Sequence, residues 1–107
     1  MAECRVEQQG AVLVAYLSGE IDHHAAGRLR EQLDARILGV PVERVVLDFS
    51  GVGFMDSSGI GLILGRYRLL KELGGVLSVR GVSPQVSRML QLSGLSSILM
   101  QEGGAKV

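Results

Sequence analysis

The chain is expected to form an α/β fold: a mixed sheet of four to five strands, opened by a hairpin, with three or four helices. Three features of the residue order predict it. The runs Ala11–Ser18 and Arg44–Phe49 are apolar at nearly every central position, as in strands buried on both faces. A stretch with apolar residues at helical spacing separates them, so a helical crossover would join them as a parallel pair. Cys4–Gln8 precedes the first run across Gln9-Gly10, a turn signal that makes an opening hairpin.

Each element has its own punctuation. Gly19-Glu20-Ile21-Asp22 ends the second strand, and Asp22 is placed to cap a helix whose apolar face is Ala26, Leu29, Leu33 and Ile37. Gly39 and Pro41 close that helix, and Arg28, Glu31 and Asp34 should face water. Val45-Val46-Leu47 centres the third strand, expected to run to Phe49 and to pass through Gly51 and Gly53 to a helix starting near Asp56. That helix carries Ile60, Ile63, Leu64, Tyr67 and Leu70 on one face, widened by Leu62, Leu69 and Leu73, and stops at Gly74-Gly75. Gly59, Gly61 and Gly65 would each cost about 1 kcal/mol relative to alanine in a helix interior, so close approach of the sheet or of a partner to that face is expected. Val76–Arg80 is another strand. Ser83-Pro84 joins a cap to a proline at the first helical position, opening a helix that runs to Ser93 with Val86, Met89 and Leu90 buried and Gly94 at its end. Leu95–Met100 suits a short last edge strand, and 101–107 should be a frayed tail.

Composition bounds the function. At 107 residues the chain should be one domain, 1–107, and its 47% hydrophobic content is mostly aliphatic, enough for a core of Val, Leu and Ile between sheet and helices. Eleven basic residues balance eleven acidic ones, so the electrostatic term on which nucleic-acid and anionic-membrane binding depend is missing. A protein or small-molecule partner is expected instead, with no nucleic acid and no membrane. The single cysteine, Cys4, can form no internal disulfide, and no Cys or His cluster has zinc spacing, so neither metal nor cofactor is expected. Met1–Gly10 is polar and no apolar run approaches membrane-spanning length, which makes a soluble, cytoplasmic protein the expectation.

The stretch Phe54-Met55-Asp56-Ser57-Ser58-Gly59-Ile60-Gly61 joins the most apolar strand to the longest apolar helix. Ser57 falls at a helix entrance, where a hydroxyl is exposed to the positive end of the helix dipole and an added phosphate could be accommodated. From the residues alone Ser57 could be a cap, a nucleophile or a switch. Phe54 and Met55 put large apolar side chains just before it, suited either to the core or to a protein interface. Asp22 has the same duality of cap and interface carboxylate.

Enzymatic readings find little support. Gly51-Val52-Gly53 starts like a dinucleotide loop, but Asp56 stands where the third glycine belongs and would oppose a pyrophosphate. No phosphate-binding G-x-x-x-x-G-K-[ST] loop exists. Ser57 with His23 or His24 and Asp22 or Asp48 supplies the residue types of a small serine hydrolase, without the G-x-S-x-G elbow that presents such a serine. His23 and His24 are adjacent on a helix, about 100° apart, and make a poor metal pair.

The order Gly19-Glu20-Ile21-Asp22-His23-His24, Val46-Leu47-Asp48-Phe49, Phe54-Met55-Asp56-Ser57-Ser58-Gly59-Ile60-Gly61 and Gly65-Arg66-Tyr67 resembles anti-anti-sigma factors of the sporulation type, built on a single STAS domain. Gly74-Gly75, Ser83-Pro84 and Leu92-Ser93-Gly94-Leu95 are similar to that family in order and spacing, so the resemblance covers nearly the whole chain. It implies a protein without catalysis of its own, an anti-sigma factor antagonist. In its unphosphorylated form it would bind an anti-sigma factor that is also an ATP-dependent serine kinase, freeing a sporulation-type sigma factor. Phosphorylation by that kinase would fall on Ser57 and abolish binding, and a PP2C-type serine phosphatase would restore it. The partner-binding residues so implied are Glu20, Asp22, His23, Phe54, Met55, Asp56, Ser57, Ser58 and Gly59. A STAS module of another partner-switching or stress-sensing complex is the alternative. Family members commonly end in a further helix, whereas Gln101–Val107 is short and glycine-rich.

Overall fold

Gly10, at a φ of 62°, turns the chain from β1 (Glu3–Gln9) into β2 (Val12–Ile21), and the two strands pair antiparallel with Gln9 opposite Val12. The computed structural model describes residues 2–101, and the order continues α1 (His23–Gly39), β3 (Arg44–Met55), α2 (Ser57–Glu72), β4 (Val76–Arg80), α3 (Pro84–Leu92) and β5 (Met100–Gln101). The sheet has the order β1-β2-β3-β4-β5, and every pair after the hairpin is parallel. α1 joins β2 to β3 and α2 joins β3 to β4, as parallel neighbours require.

Strand alternation sorts the two faces. Leu13, Ala15 and Leu17 of β2, Val45, Leu47 and Phe49 of β3, and Leu77 and Val79 of β4 enter one aliphatic core. Leu29, Leu33 and Ile37 of α1, Ile63 and Leu70 of α2, and Val86 and Leu90 of α3 complete it. Tyr16, Asp48 and Arg80 alternate with these core residues and meet on the other face, where Arg80 Nε donates to Asp48 Oδ2 at 2.8 Å and Arg80 Nη2 to the Tyr16 hydroxyl at 3.3 Å.

The expected helix stops hold: Gly74, at a φ of 79°, follows the last turn of α2, and Gly75 N–H returns to Leu70 C=O at 2.7 Å. Ser83 caps α3, accepting from Val86 N–H at 3.2 Å with Pro84 at the start.

Several expectations need correction. The third strand does not end at Phe49, nor the second at Ser18: β3 runs on through Gly51 and Gly53 to Met55 and β2 to Ile21. Register shifts between Tyr16 and Ser18 and between Gly19 and Glu20 let β3 carry extra residues opposite β2, and glycine in a strand is where such irregularities fit. At Gly51 a Cβ would lie 3.0 Å from Leu17 O, so the glycine serves close strand approach. Leu95–Met100 is not a strand: Leu95–Ser97 forms a 3-10 turn, and only Met100–Gln101 pairs, beside Ser78 and Val79. Gln101 thus belongs to the sheet, while the rest of the expected frayed tail lies outside the described residues. Ala25, not Ala26, is the fully buried alanine of α1, and Leu73 is half exposed beyond the last turn of α2. Close packing is found at Gly59, where a Cβ would overlap Met55 Cγ and Sδ; at Gly61 and Gly65 a Cβ would meet nothing within 4 Å. Asp34 is half-buried and not free in water, because buried Arg66 reaches it from α2, Nε to Oδ1 at 2.8 Å.

Candidate functional site

β2 and β3 deliver two acid-capped helices to one edge of the sheet. Ile21 pairs with Met55, and the next residue of each strand is an aspartate in extended conformation that caps a helix. Asp22 Oδ1 accepts from Ala25 N–H at 2.9 Å, and Asp56 Oδ1 from Ser58 N–H at 2.8 Å. Asp56 N–H in turn donates to Ile21 C=O at 3.0 Å, which fixes the two caps side by side. The Ala25 N–H, with a smaller contribution from His24, holds the exposed Asp22 carboxyl below the usual carboxylate range.

Since Asp56 is the cap, Ser57 is the first helical residue and its side chain is exposed. Ser58 is half-buried, and its own N–H is already used by the Asp56 carboxylate. It lines a groove of about 450 Å³ between α1 and α2, with His23, Ala26, Gly27, Arg30, Gly61 and Leu62. The two adjacent serines therefore differ in access, and Ser57 is the outward one.

The remaining candidate residues separate into surface and support. Asp22, His23 and Glu20 are exposed, and Phe54 is 48% exposed. Glu20 and Phe54 are register partners on adjacent strands, and alternation points them away from the core face that takes Ile21 and Met55. Met55 has no exposed surface and Gly59 is buried against it, so both lie beneath the surface. Of the two readings left open for Phe54 and Met55, core or interface, Met55 takes the core because it falls on the core-facing side of β3, while Phe54 is half exposed.

The carboxylates of the hydrolase reading are engaged elsewhere. Asp22 is engaged by Ala25, and Asp48 lies on the face of the sheet opposite the core, held by Arg80 and by Ser50 N–H at 2.8 Å. Burial raises the Asp48 carboxyl, but the Arg80 and Ser50 hydrogen bonds outweigh it and bring it below its ordinary value. The His23 and His24 rings meet edge to face, 6.0 Å between centroids.

One contributor to the site was not foreseen. Gln85, at the start of α3, donates its Nε2–H to Met55 C=O at 2.7 Å and accepts from Met55 N–H at 3.2 Å. Thirty residues separate the two in the chain, and no local pattern signals a side-chain amide that binds a strand end.

Residues 3–105 match the family model of the STAS domain. The chain therefore belongs to the STAS domain family. Within it, the chain is 43% identical over 97 residues to an anti-sigma F factor antagonist of Paenibacillus polymyxa, covering 91% of this chain and 83% of that one. Its structure resembles that of the anti-sigma factor antagonist SpoIIAA in its unphosphorylated form, with a TM-score of 0.83, 34% identity and coverage of 95% and 90% of the two chains. The phosphorylated form of the Bacillus cell fate determinant SpoIIAA matches with a TM-score of 0.75 and 33% identity over 95% of this chain and 93% of that one. The first two of these are named as anti-sigma factor antagonists. Among the described residues no helix is long and apolar enough to cross a membrane.

Proposed function

We propose that this chain is an anti-sigma factor antagonist whose affinity for its partner is set by phosphorylation of Ser57. The observation that carries the reading is the exposed Ser57 at the first position of α2, outside an aspartate that already caps the helix and beside a second capped helix. The site has a surface for a partner in Glu20, Asp22, His23, Phe54, Asp56, Ser57 and Ser58, supported by Met55 and Gly59. The similarity to SpoIIAA, known in unphosphorylated and phosphorylated forms, supports the switch.

The chemistry is electrostatic. A phosphate on Ser57 adds a charge of about −1.5 to −2. The positive end of α2 tolerates that charge within the domain, so the fold survives. A partner surface matched to a neutral hydroxyl between Asp22 and Asp56 would meet added repulsion and an uncompensated desolvation cost, and like charges across an interface cost several kcal/mol. The unphosphorylated form would bind an anti-sigma factor with ATP-dependent serine kinase activity and release its sigma factor in the cytoplasm. A PP2C-type phosphatase would reset the phosphorylated form.

The test is incubation with the cognate anti-sigma kinase and ATP, followed by mass spectrometry and a binding titration. Phosphate should map to Ser57. Ser57→Ala should resist modification and bind persistently, with little loss of stability because Asp56 keeps the cap. Ser57→Asp should fold yet lose affinity by about a hundredfold or more, the scale of a repulsion of about 3 kcal/mol. Phosphate on Ser58, or a Ser57→Asp variant that binds like the parent, refutes the assignment.

A further inference from the structure

Past Asp48, β3 loses its neighbour. β4 pairs only from Val76 to Arg80, opposite Arg44 to Asp48, so among the described residues no strand flanks the 49–55 stretch of β3 on the side away from β2. Met55 nevertheless has both of its backbone polar groups satisfied there. The Gln85 side-chain amide presents its N–H to Met55 C=O at 2.7 Å and its oxygen to Met55 N–H at 3.2 Å, the pairing that a peptide group of an adjacent strand would offer. The Met55 side chain, with no exposed surface, sits under Gly59, where a Cβ would overlap it. The next residue is the cap Asp56 and the one after it is Ser57.

We propose that Gln85 is a positioning residue for the Ser57 turn. Its amide stands in for the missing strand and fixes where β3 ends, and with it the direction in which α2 leaves and Ser57 is presented. α3 is thereby tied to a site to which it contributes no surface residue. The consequence for binding rests on the partner-switching reading; the structural half does not.

Gln85→Met keeps the length of the stem and removes both hydrogen bonds to Met55, together with the Nε2–H donated to Met89 Sδ at 3.2 Å within α3. Ser83→Ala is the control, because it weakens the same helix at its cap and leaves the amide in place. Amide hydrogen exchange of the isolated protein, well below its melting temperature, reads the structural half without any partner. In Gln85→Met, exchange at Met55 and Gly59 should accelerate at least tenfold while Leu47 in the core is unchanged; Ser83→Ala should leave Met55 as in the parent. With the cognate anti-sigma kinase and ATP, the kcat/KM for phosphorylation should fall at least fivefold in Gln85→Met and stay near the parent value in Ser83→Ala. Unchanged exchange at Met55 overturns the inference, and so does accelerated exchange with an unchanged phosphorylation rate. Equal losses in the two variants overturn it as well, by reducing Gln85 to general support of α3. A parent that is not phosphorylated at all refutes the switch and leaves the exchange data to judge the Gln85 contact.

Discussion

Asp22 and Asp56 look alike in sequence and in geometry, and the charge of such a residue can be tested apart from its cap. Each gives one carboxylate oxygen to a helix N–H, at 2.9 and 2.8 Å. Asp22→Asn keeps a capping oxygen while deleting the charge, and Asn caps about as well as Asp. Its unfolding free energy should stay within about 0.5 kcal/mol of the parent in urea titrations. Its affinity for the anti-sigma factor should fall about fivefold, the worth of a rim charge of about 1 kcal/mol. Calorimetry that finds the parent affinity would leave Asp22 a cap only. Local chemistry of this kind was legible: Asp22 and Ser83 follow from the rule that short polar side chains satisfy the first N–H groups of a helix, and the same rule left Asp56 and Ser57 as alternatives for α2. The pairing of Asp34 with Arg66 was not, since helical spacing placed Asp34 toward water and the packing of α2 against α1 is tertiary information. Burial lowers the Arg66 guanidinium and Asp34 opposes that fall. Removing either partner would leave the other charge without its counterion.

At the scale of elements, the three glycines of α2 have separate explanations. Gly59 is fixed by Met55, whose side chain occupies the place of its Cβ. Gly61 and Gly65 have open space there, and Gly61 borders the groove shared with α1. Gly59→Ala should lose stability, because Met55 has no room to withdraw in the core. Gly61→Ala and Gly65→Ala should each gain up to about 1 kcal/mol from helix propensity. Thermal unfolding of the three variants checks the ordering, and a stabilised Gly61→Ala that binds the anti-sigma factor less tightly would show that the glycine keeps the groove open for the partner. The sequence signals could not divide these roles, because helix propensity assigns the same cost to any interior glycine while the neighbour that offsets it comes from β3. The same limit explains Gly51 and Gly53. Glycine marks turns and strand irregularities alike, and only pairing with β2 distinguishes them.

For the whole molecule, the apolar runs and the helical spacer between them were sufficient for the opening hairpin and the parallel pairing of β2 with β3; the places of β4 and β5 depend on pairing that no local pattern carries. What composition could not reveal is that the face of the sheet opposite the core carries a polar cluster. Arg80 lies between Asp48 and Tyr16, its guanidinium 5.6 Å from the ring centroid, and Arg5 covers the same ring from β1 at 4.3 Å. β1, β2, β3 and β4 are thus joined across that face by side chains as well as by their ladders. The cluster gives stability a pH dependence. Asp48 is held below its ordinary carboxylate range in the folded protein, so its contribution is complete above the unfolded value of about 3.9 and disappears as pH falls through the lower folded value. Asp48→Asn can still accept from Ser50 N–H through its amide oxygen but presents no second oxygen to Arg80. With Arg80 partly open to solvent and the pair screened accordingly, the variant should be about 1–2 kcal/mol less stable than the parent at pH 7. Below the folded value the parent's own Asp48 is neutral, so the two stability curves should converge there. Urea titrations from pH 7 down to pH 2 make the comparison; a gap that stays constant with pH would mean that Asp48 acts by shape and hydrogen bonding and not by its charge.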